Sequence, residues 1–388
     1  MTHQDYLSNL FVQQLMQEHQ PEKKIIVKAV EQVDIDNSAS ILVALTSGRT
    51  ERMVGHFGIE VTYEQDGTEH VQRMVMKIKP HGNEIVEMLN SLAQACGGNL
   101  AGVYNTFKSR TGFQQTHTRE QEIYKKLAPC FTPEIFGLRT DHINEVYIIL
   151  MEYLENVELL NSVMQPEQWS DEQIKITLSQ MAQWHASMLN TTSTLDMQLW
   201  DDVPSLAYMQ QLTPLWQALL DNASTNFPEL YTNERMQLLQ DAIDNTSDRW
   251  RVLEALPKTF IHNDCNPRNS CFKSAGEKQV FCLYDWELST FHIPQYDLAE
   301  FLCFVVDESR YHLRADYIEF YRQELSKNTG AYSDAGVFNA ELEMAAYDFA
   351  LHRAGMYLMA HTVSPYPFLP RLVNSLFDMI SKQKTLAF

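Results

Sequence analysis

Apolar positions along this chain repeat with two different periods. Residues 1–20 place Leu7, Leu10, Phe11 and Leu15 at helical spacing and predict a short amphipathic helix. Strand-like alternation follows over Ile25–Val33, Ile41–Leu45, Met53–Tyr63 and Val71–Lys79, punctuated by the polar stretch Asp34–Ser38 and the turn Gln65-Asp66-Gly67. Pro80 lacks a backbone donor and ends the last of these strands. Helices are expected over 83–97, stopping at Gly97-Gly98, and over 118–128, with a buried strand at Val146–Leu154.

From residue 155 the period becomes helical. Ser170 and Gln173 form a capping box ahead of Ile174, Leu178, Met181, His185 and Met188 on one face. Further helices are predicted over 204–221, 231–256, 313–328, 338–361 and 369–383. One β island interrupts them, at Thr259–Ile261, Ser270–Lys273 and Val280–Tyr284. There is no internal repeat. The pattern divides the chain into a strand-rich part, 1–153, and a mostly helical part, 154–388, joined near 152–156, with a ligand cleft expected between them.

The 388 residues are 45% apolar, enough to build large cores. With 30 Lys+Arg against 50 Asp+Glu the net charge is −20, which excludes a broad nucleic-acid or anionic-membrane surface but allows a local phosphate site. The six cysteines include no C-x-x-C pair and are too sparse for a disulfide scaffold. Met1-Thr-His-Gln-Asp-Tyr lacks the basic start and apolar core of a signal peptide, and no apolar run reaches the roughly 18–20 residues that span a bilayer. These features predict a soluble cytoplasmic protein with no nucleic-acid or membrane partner and no obligate protein partner.

The densest polar segment is Phe260-Ile-His-Asn-Asp-Cys-Asn-Pro-Arg-Asn269, an H-x-D-x-x-x-x-N pattern. Sixteen residues after Asn269 comes Asp285, within Leu283-Tyr-Asp-Trp-Glu287, and the intervening stretch reads as a hairpin. That hairpin would return Asp285 to Asn269 and gather the oxygens of Asp264, Asn269 and Asp285 at one mouth. Phosphoryl transfer needs such a set. Mg²⁺ favours hard oxygen ligands, and a further carboxylate must orient the attacking hydroxyl.

These motifs resemble the Brenner motif and the following acidic motif of the aminoglycoside phosphotransferase and choline kinase superfamily, closest to its ecdysteroid-kinase-like (CHK) branch. The resemblance implies an α+β, bilobal protein-kinase-like fold. Its N-lobe would be small, mainly antiparallel β, with a glutamate-bearing helix, and its C-lobe larger and mostly helical. ATP and Mg²⁺ would lie between the lobes, and the acceptor would be a small-molecule alcohol: an antibiotic, amino alcohol, steroid or other natural product. Carried over by position, Asp264 is the catalytic base and Asn269 and Asp285 bind Mg²⁺. Asp297, in Tyr296-Asp-Leu-Ala299, matches the family's aspartate that opens the next helix, and the role this implies is structural support, consistent with an N-cap.

The resemblance also implies a strand lysine on the phosphates, held by a helix glutamate. Lys77 is favoured over Lys79 because it lies deeper in its strand. Glu120 shares a helix face with Ile123, Tyr124 and Leu127, whereas Glu122 sides with Lys125 and Lys126, which makes Glu120 the buried partner. Adenine would meet backbone near Glu152 and Leu154. His262 reads as a buried histidine bonded to backbone, and Glu287 as either a supporting or second-metal carboxylate or a surface one. His185 is expected in the core and Cys265 as a packing thiol. Trp286, Tyr296, His352, Arg353, Tyr357 and His361 are candidate walls for the acceptor.

Two positions depart from the family pattern. Asn263 stands where glycine is common, and Thr46-Ser-Gly-Arg-Thr50 is a turn but not G-x-G-x-x-G. D-W-E in place of D-F-G, with no A-P-E downstream, argues against a protein kinase. The alternative to an enzyme is a nucleotide-binding pseudokinase scaffold, which intact Asp264, Asn269 and Asp285 argue against.

Overall fold

A computed structural model describes residues 3–35, 54–127, 131–160, 163–191, 195–276 and 278–386. The strand expected at Ile41–Leu45, the Thr46–Thr50 turn and Cys130 lie outside the described residues.

Five strands form one antiparallel sheet: β1 (Ile25–Val33), β2 (Gly55–Gln65), β3 (Thr68–Lys79), β4 (Ile135–Asp141) and β5 (Val146–Glu152), in the order β1-β2-β3-β5-β4. Alternation along β3 sends Met74, Met76 and Ile78 to one face and Val75, Lys77 and Lys79 to the other. The first face packs with Ile59, Val61, Ile148 and Leu150 under the helix Asn9–His19. That helix buries Phe11, Val12, Leu15 and Met16, while Leu10 is exposed, so its apolar stripe is turned from the one the spacing suggested.

The second face of β3 receives the helix Thr116–Tyr124, in which every residue except Glu122 is buried. Polar side chains on this helix tolerate burial because each has a partner. Arg119 donates to the carbonyls of Leu199 and Gly112 and pairs with Asp202, and the Gln121 amide donates to the Arg139 carbonyl. The helix Gly82–Cys96 begins with a capping box at His81 and Glu84. Gly98–Phe107, for which the periodicity predicts no element, is a helix of its own.

The rest is helical, and several long predicted helices are divided. The 204–221 segment splits into Leu206–Gln211 and Thr213–Asn226, with Pro214 in the first turn of the second. The 231–256 segment breaks at Asn245 into Asn233–Asp244 and Thr246–Ala255. Within 338–361 a π-helical turn, Ala350–Ala354, separates Ala335–Phe349 from Gly355–Val363. The β island holds β6 (Thr259–Ile261), the hairpin β7 (Ser270–Ala275) with β8 (Lys278–Leu283), and β9 (Thr290–His292), which pairs with β6.

A small β lobe with a buried glutamate-bearing helix therefore meets a larger helical lobe: an α+β, bilobal protein-kinase-like architecture. Among the described residues no helix is long and apolar enough to cross a membrane.

Gly82 starts its helix where a β-carbon would drive into the carbonyl of Gln114, and its N–H donates to His117 Nδ1 at 3.0 Å. Gly82→Ala should lower stability by about 1–3 kcal/mol, the usual range for overpacking, without removing any functional side chain. Urea unfolding checks this, with an unchanged midpoint contradicting the packing described.

Candidate active site

The two lobes meet through a cluster of buried charges. Lys77 Nζ donates to both Glu120 carboxylate oxygens, at 2.9 and 2.8 Å, and to Asp285 Oδ1 at 2.6 Å. Lys79, two residues along the same face, donates to Glu120 and to Glu287 Oε2, the latter at 2.8 Å. The Tyr124 hydroxyl closes the cluster, donating to Glu120 Oε1 at 3.0 Å and accepting from the Asp285 N–H at 3.3 Å. Both lysines that sequence weighed thus hold Glu120, and Lys77 is the one that reaches Asp285. Glu122 pairs with Lys125 and Lys126 away from the cluster.

Electrostatics follow from this crowding. Burial opposes charge on every member, yet Asp285 and Glu120 hold the Lys77 ammonium above its usual range, and Lys77 with Lys79 holds the Glu120 and Asp285 carboxyls below theirs. Three carboxylates share two ammoniums, so one negative charge is left over. Glu287 absorbs it: burial, against the pull of Lys79, pushes its carboxyl up to about 7. Glu120, Asp285 and Glu287 each bring an oxygen within 4.8 Å of the others. Clustered hard oxygens of this kind are what a divalent cation such as Mg²⁺ requires.

The catalytic-loop segment is built from backbone N–H groups aimed at buried carboxylates. Asp297 accepts from the N–H of His262 at 2.7 Å and of Asn263 at 2.9 Å, and from His185 Nε2 at 3.2 Å. It sits inside the helix Gln295–Val305, whose cap is Pro294. The expected N-cap role is therefore corrected: Asp297 turns inward to brace the loop instead of capping its helix. Glu300, one turn on, accepts from the Cys265 N–H at 2.8 Å. Asn263 adopts a left-handed φ of 59°, which explains why glycine suits this position and why asparagine is tolerated. His262 is fully buried and bonds the Tyr284 carbonyl through Nε2 at 3.0 Å. His185 is a core histidine between Asp297 and Tyr321, and burial holds the Cys265 thiol far above its usual range.

The hairpin does return Asp285 to Asn269, through Tyr284 N–H to the Asn269 carbonyl at 2.8 Å. Asp285 itself is left-handed at φ 66°, a conformation in which non-glycine residues are uncommon. The Asn269 amide nitrogen donates to Asp264 Oδ2 at 2.9 Å, leaving its carbonyl oxygen as the atom available to a cation. Asp264 also accepts from Arg353 Nη2 and the Tyr357 hydroxyl, both at 2.7 Å. Burial alone would raise this carboxyl, but Arg353 and Tyr357 outweigh it and hold it down to about 2.

Lys77, Asp264, Asn269, Asp285 and Glu287 all face one cavity of about 200 Å³. Of the proposed acceptor walls, Arg353 and Tyr357 line it. Tyr296 and His352 instead line a separate cavity of about 40 Å³ behind the loop, and Trp286 is fully buried. His361 accepts from the Tyr366 N–H. Glu152 ends β5 and Leu154 lies two residues beyond it, at the lobe junction. The Glu152 carboxylate is engaged by Lys273 and by the Glu134 N–H, and neither residue is among those lining the cavity.

Residues 62–332 match the model of the phosphotransferase enzyme family, APH. The chain belongs to that family. Its family is one of phosphotransferases. A search of curated protein sequences finds no match. Among solved structures it is similar to an ethanolamine kinase of Plasmodium vivax, at 12% identity and TM-score 0.42, over 92% of this chain and 81% of that one. It is also similar to aminoglycoside 2'-phosphotransferase-IIIa in complex with GDP, at 13% identity and TM-score 0.43, over 98% and 100%. A microcompartment-associated aminopropanol kinase aligns at 12% identity and TM-score 0.40, over 84% and 88%.

Because Arg353 depresses the Asp264 carboxyl, the stabilisation that pair gives is present above about pH 4 and lost as pH falls through about 2. In Arg353→Met burial acts unopposed by the guanidinium, and Asp264 should titrate at higher pH than in the wild type. A carboxyl ¹³C NMR titration reads this directly, and an unmoved Asp264 resonance would contradict it.

Proposed function

We propose that the protein is an ATP- and Mg²⁺-dependent O-phosphotransferase of the ecdysteroid-kinase-like branch, phosphorylating a hydroxyl of a small molecule. The observation that carries this reading is the convergence of Lys77, Asp264, Asn269 and Asp285 on one cavity between the lobes. Lobe 1–153 clamps the nucleotide, and lobe 154–388 supplies the catalytic loop and acceptor pocket. The purine base is read by backbone around Glu152 and Leu154. Lys77, steadied by Glu120, leaves Asp285 to grip the phosphates.

The donor set fits Mg²⁺, which Asn269 and Asp285 would hold, with Glu287 in support. When bound it neutralises charge on the phosphates. Asp264 is ionised throughout the neutral range and accepts a hydrogen bond from the acceptor hydroxyl, fixing its oxygen in line with the terminal phosphorus. The acceptor oxygen–phosphorus bond forms as the bond to ADP breaks, and the hydroxyl proton passes to Asp264 and then to solvent. A carboxyl held near 2 is a weak base, so its contribution is chiefly orientation. That suits a loose transition state in which the proton moves late. His262 and Asp297 act only by shaping the loop.

Asp264→Asn should reduce transfer by roughly 10²–10⁴-fold while leaving Mg·ATP affinity within twofold. ³¹P NMR of ATP turnover with a panel of alcohols, paired with calorimetric nucleotide binding, measures both. Equal turnover in the variant would remove Asp264 from its role, and wild-type binding without transfer to any alcohol would point to a scaffold.

A further inference from the structure

Much of the cavity's lining is apolar. Ile85, Met88, Leu92, Phe113, Met356 and Phe368 are among the apolar residues that line it. Each carboxylate reaching the cavity already has a cation: Asp264 has Arg353, Asp285 has Lys77 and Glu287 has Lys79. The one surplus negative charge lies with Glu120, Asp285 and Glu287, the group that would sit against Mg²⁺ rather than an ammonium on the acceptor.

The remaining charged group is Arg268, between Pro267 and Asn269 in the catalytic loop. Its guanidinium carbon lies 5.5 Å from the centroid of the Phe368 ring, which steadies the side chain against the apolar lining. Its backbone N–H is tied to Asn266 Oδ1 at 2.9 Å. Among the described residues its side chain makes no ion pair, although acids outnumber bases 50 to 30 in the sequence. Arg353 presents a second guanidinium to the same cavity, with one hand spent on Asp264 and Tyr357 and its Nε buried without a partner.

Building on the phosphotransferase reading, we propose that Arg268 selects the acceptor. The acceptor is a mainly apolar alcohol bearing an anionic group, a carboxylate being the simplest, which Arg268 pairs with while the hydroxyl faces Asp264. An amino alcohol or aminoglycoside would bring its positive charge against two guanidiniums, with no free carboxylate to receive it. Specificity here has both an attractive and a repulsive component.

The test compares three acceptors of one length, 8-hydroxyoctanoate, 1,8-octanediol and 8-amino-1-octanol, titrated calorimetrically into the full-length protein saturated with Mg·ADP. The hydroxy acid should bind about tenfold or more tighter than the amino alcohol, with the diol between, as one charged hydrogen-bonded contact allows. Arg268→Ala should erase the order and Arg268→Lys should keep part of it, both with unchanged Mg·ADP affinity and thermal midpoint. Equal affinities, a preference for the amine, no binding of any of the three, or an order that survives in Arg268→Ala overturns the proposal. Loss of Mg·ADP affinity in Arg268→Ala also overturns it, by assigning the guanidinium to the nucleotide phosphates. Failure of the wild type to bind Mg·ADP at all sinks the phosphotransferase reading itself, and this inference with it.

Discussion

Four buried charges and the half-buried Asp285 hold the two lobes in one register. Lys77 and Lys79 come from a strand, Glu120 from a helix, and Asp285 and Glu287 from a turn more than 150 residues further on in the sequence. Removing such groups from water is expensive, and the cost is recovered only when every member meets its partners. Shifting β3 by one residue would turn both lysines to the opposite face of the sheet, where the Asn9–His19 helix packs. The same electrostatics that tie the lobes therefore set the position of the strand, the glutamate helix and the acidic turn.

With that junction fixed, the rest of the site is a matter of holding a loop still. Backbone N–H groups of His262, Asn263 and Cys265 are taken up by Asp297 and Glu300 from a single helix. The loop cannot relax without stranding buried carboxylates. Arg353 and Tyr357 then keep Asp264 ionised. They reach it from a π-helical turn and the helix after it, a local irregularity of the kind that commonly marks functional sites. Charge is thus arranged before any substrate arrives, which is the form of catalysis a loose phosphoryl transition state rewards.

Much of this was legible in sequence where a signal was local. Spacing on one helix distinguished Glu120 from Glu122, and the strand-turn-strand after Asn269 brought Asp285 back to it. What escaped was non-local or short. Lys79 looked marginal beside Pro80, and only the fold reveals that two carboxylates converge on it. Nothing near Arg353 in sequence announces Asp264, 89 residues away. β9, at three residues, is too brief for alternation to register. The two-helix breaks at Leu212 and Asn245 were hidden because apolar spacing continues across them. Asp297 was placed at a helix start from its motif, but its carboxylate serves a different segment.

In the proposed function, Glu120 holds Lys77 ready for the phosphates of a nucleotide between the lobes. The direct measurement is Mg·ATP affinity, by isothermal titration calorimetry, of wild type against Glu120→Gln, an isosteric change that removes the charge. Affinity should be at least tenfold weaker in the variant, with the protein still folded by circular dichroism. Unchanged affinity in a folded Glu120→Gln protein would contradict it.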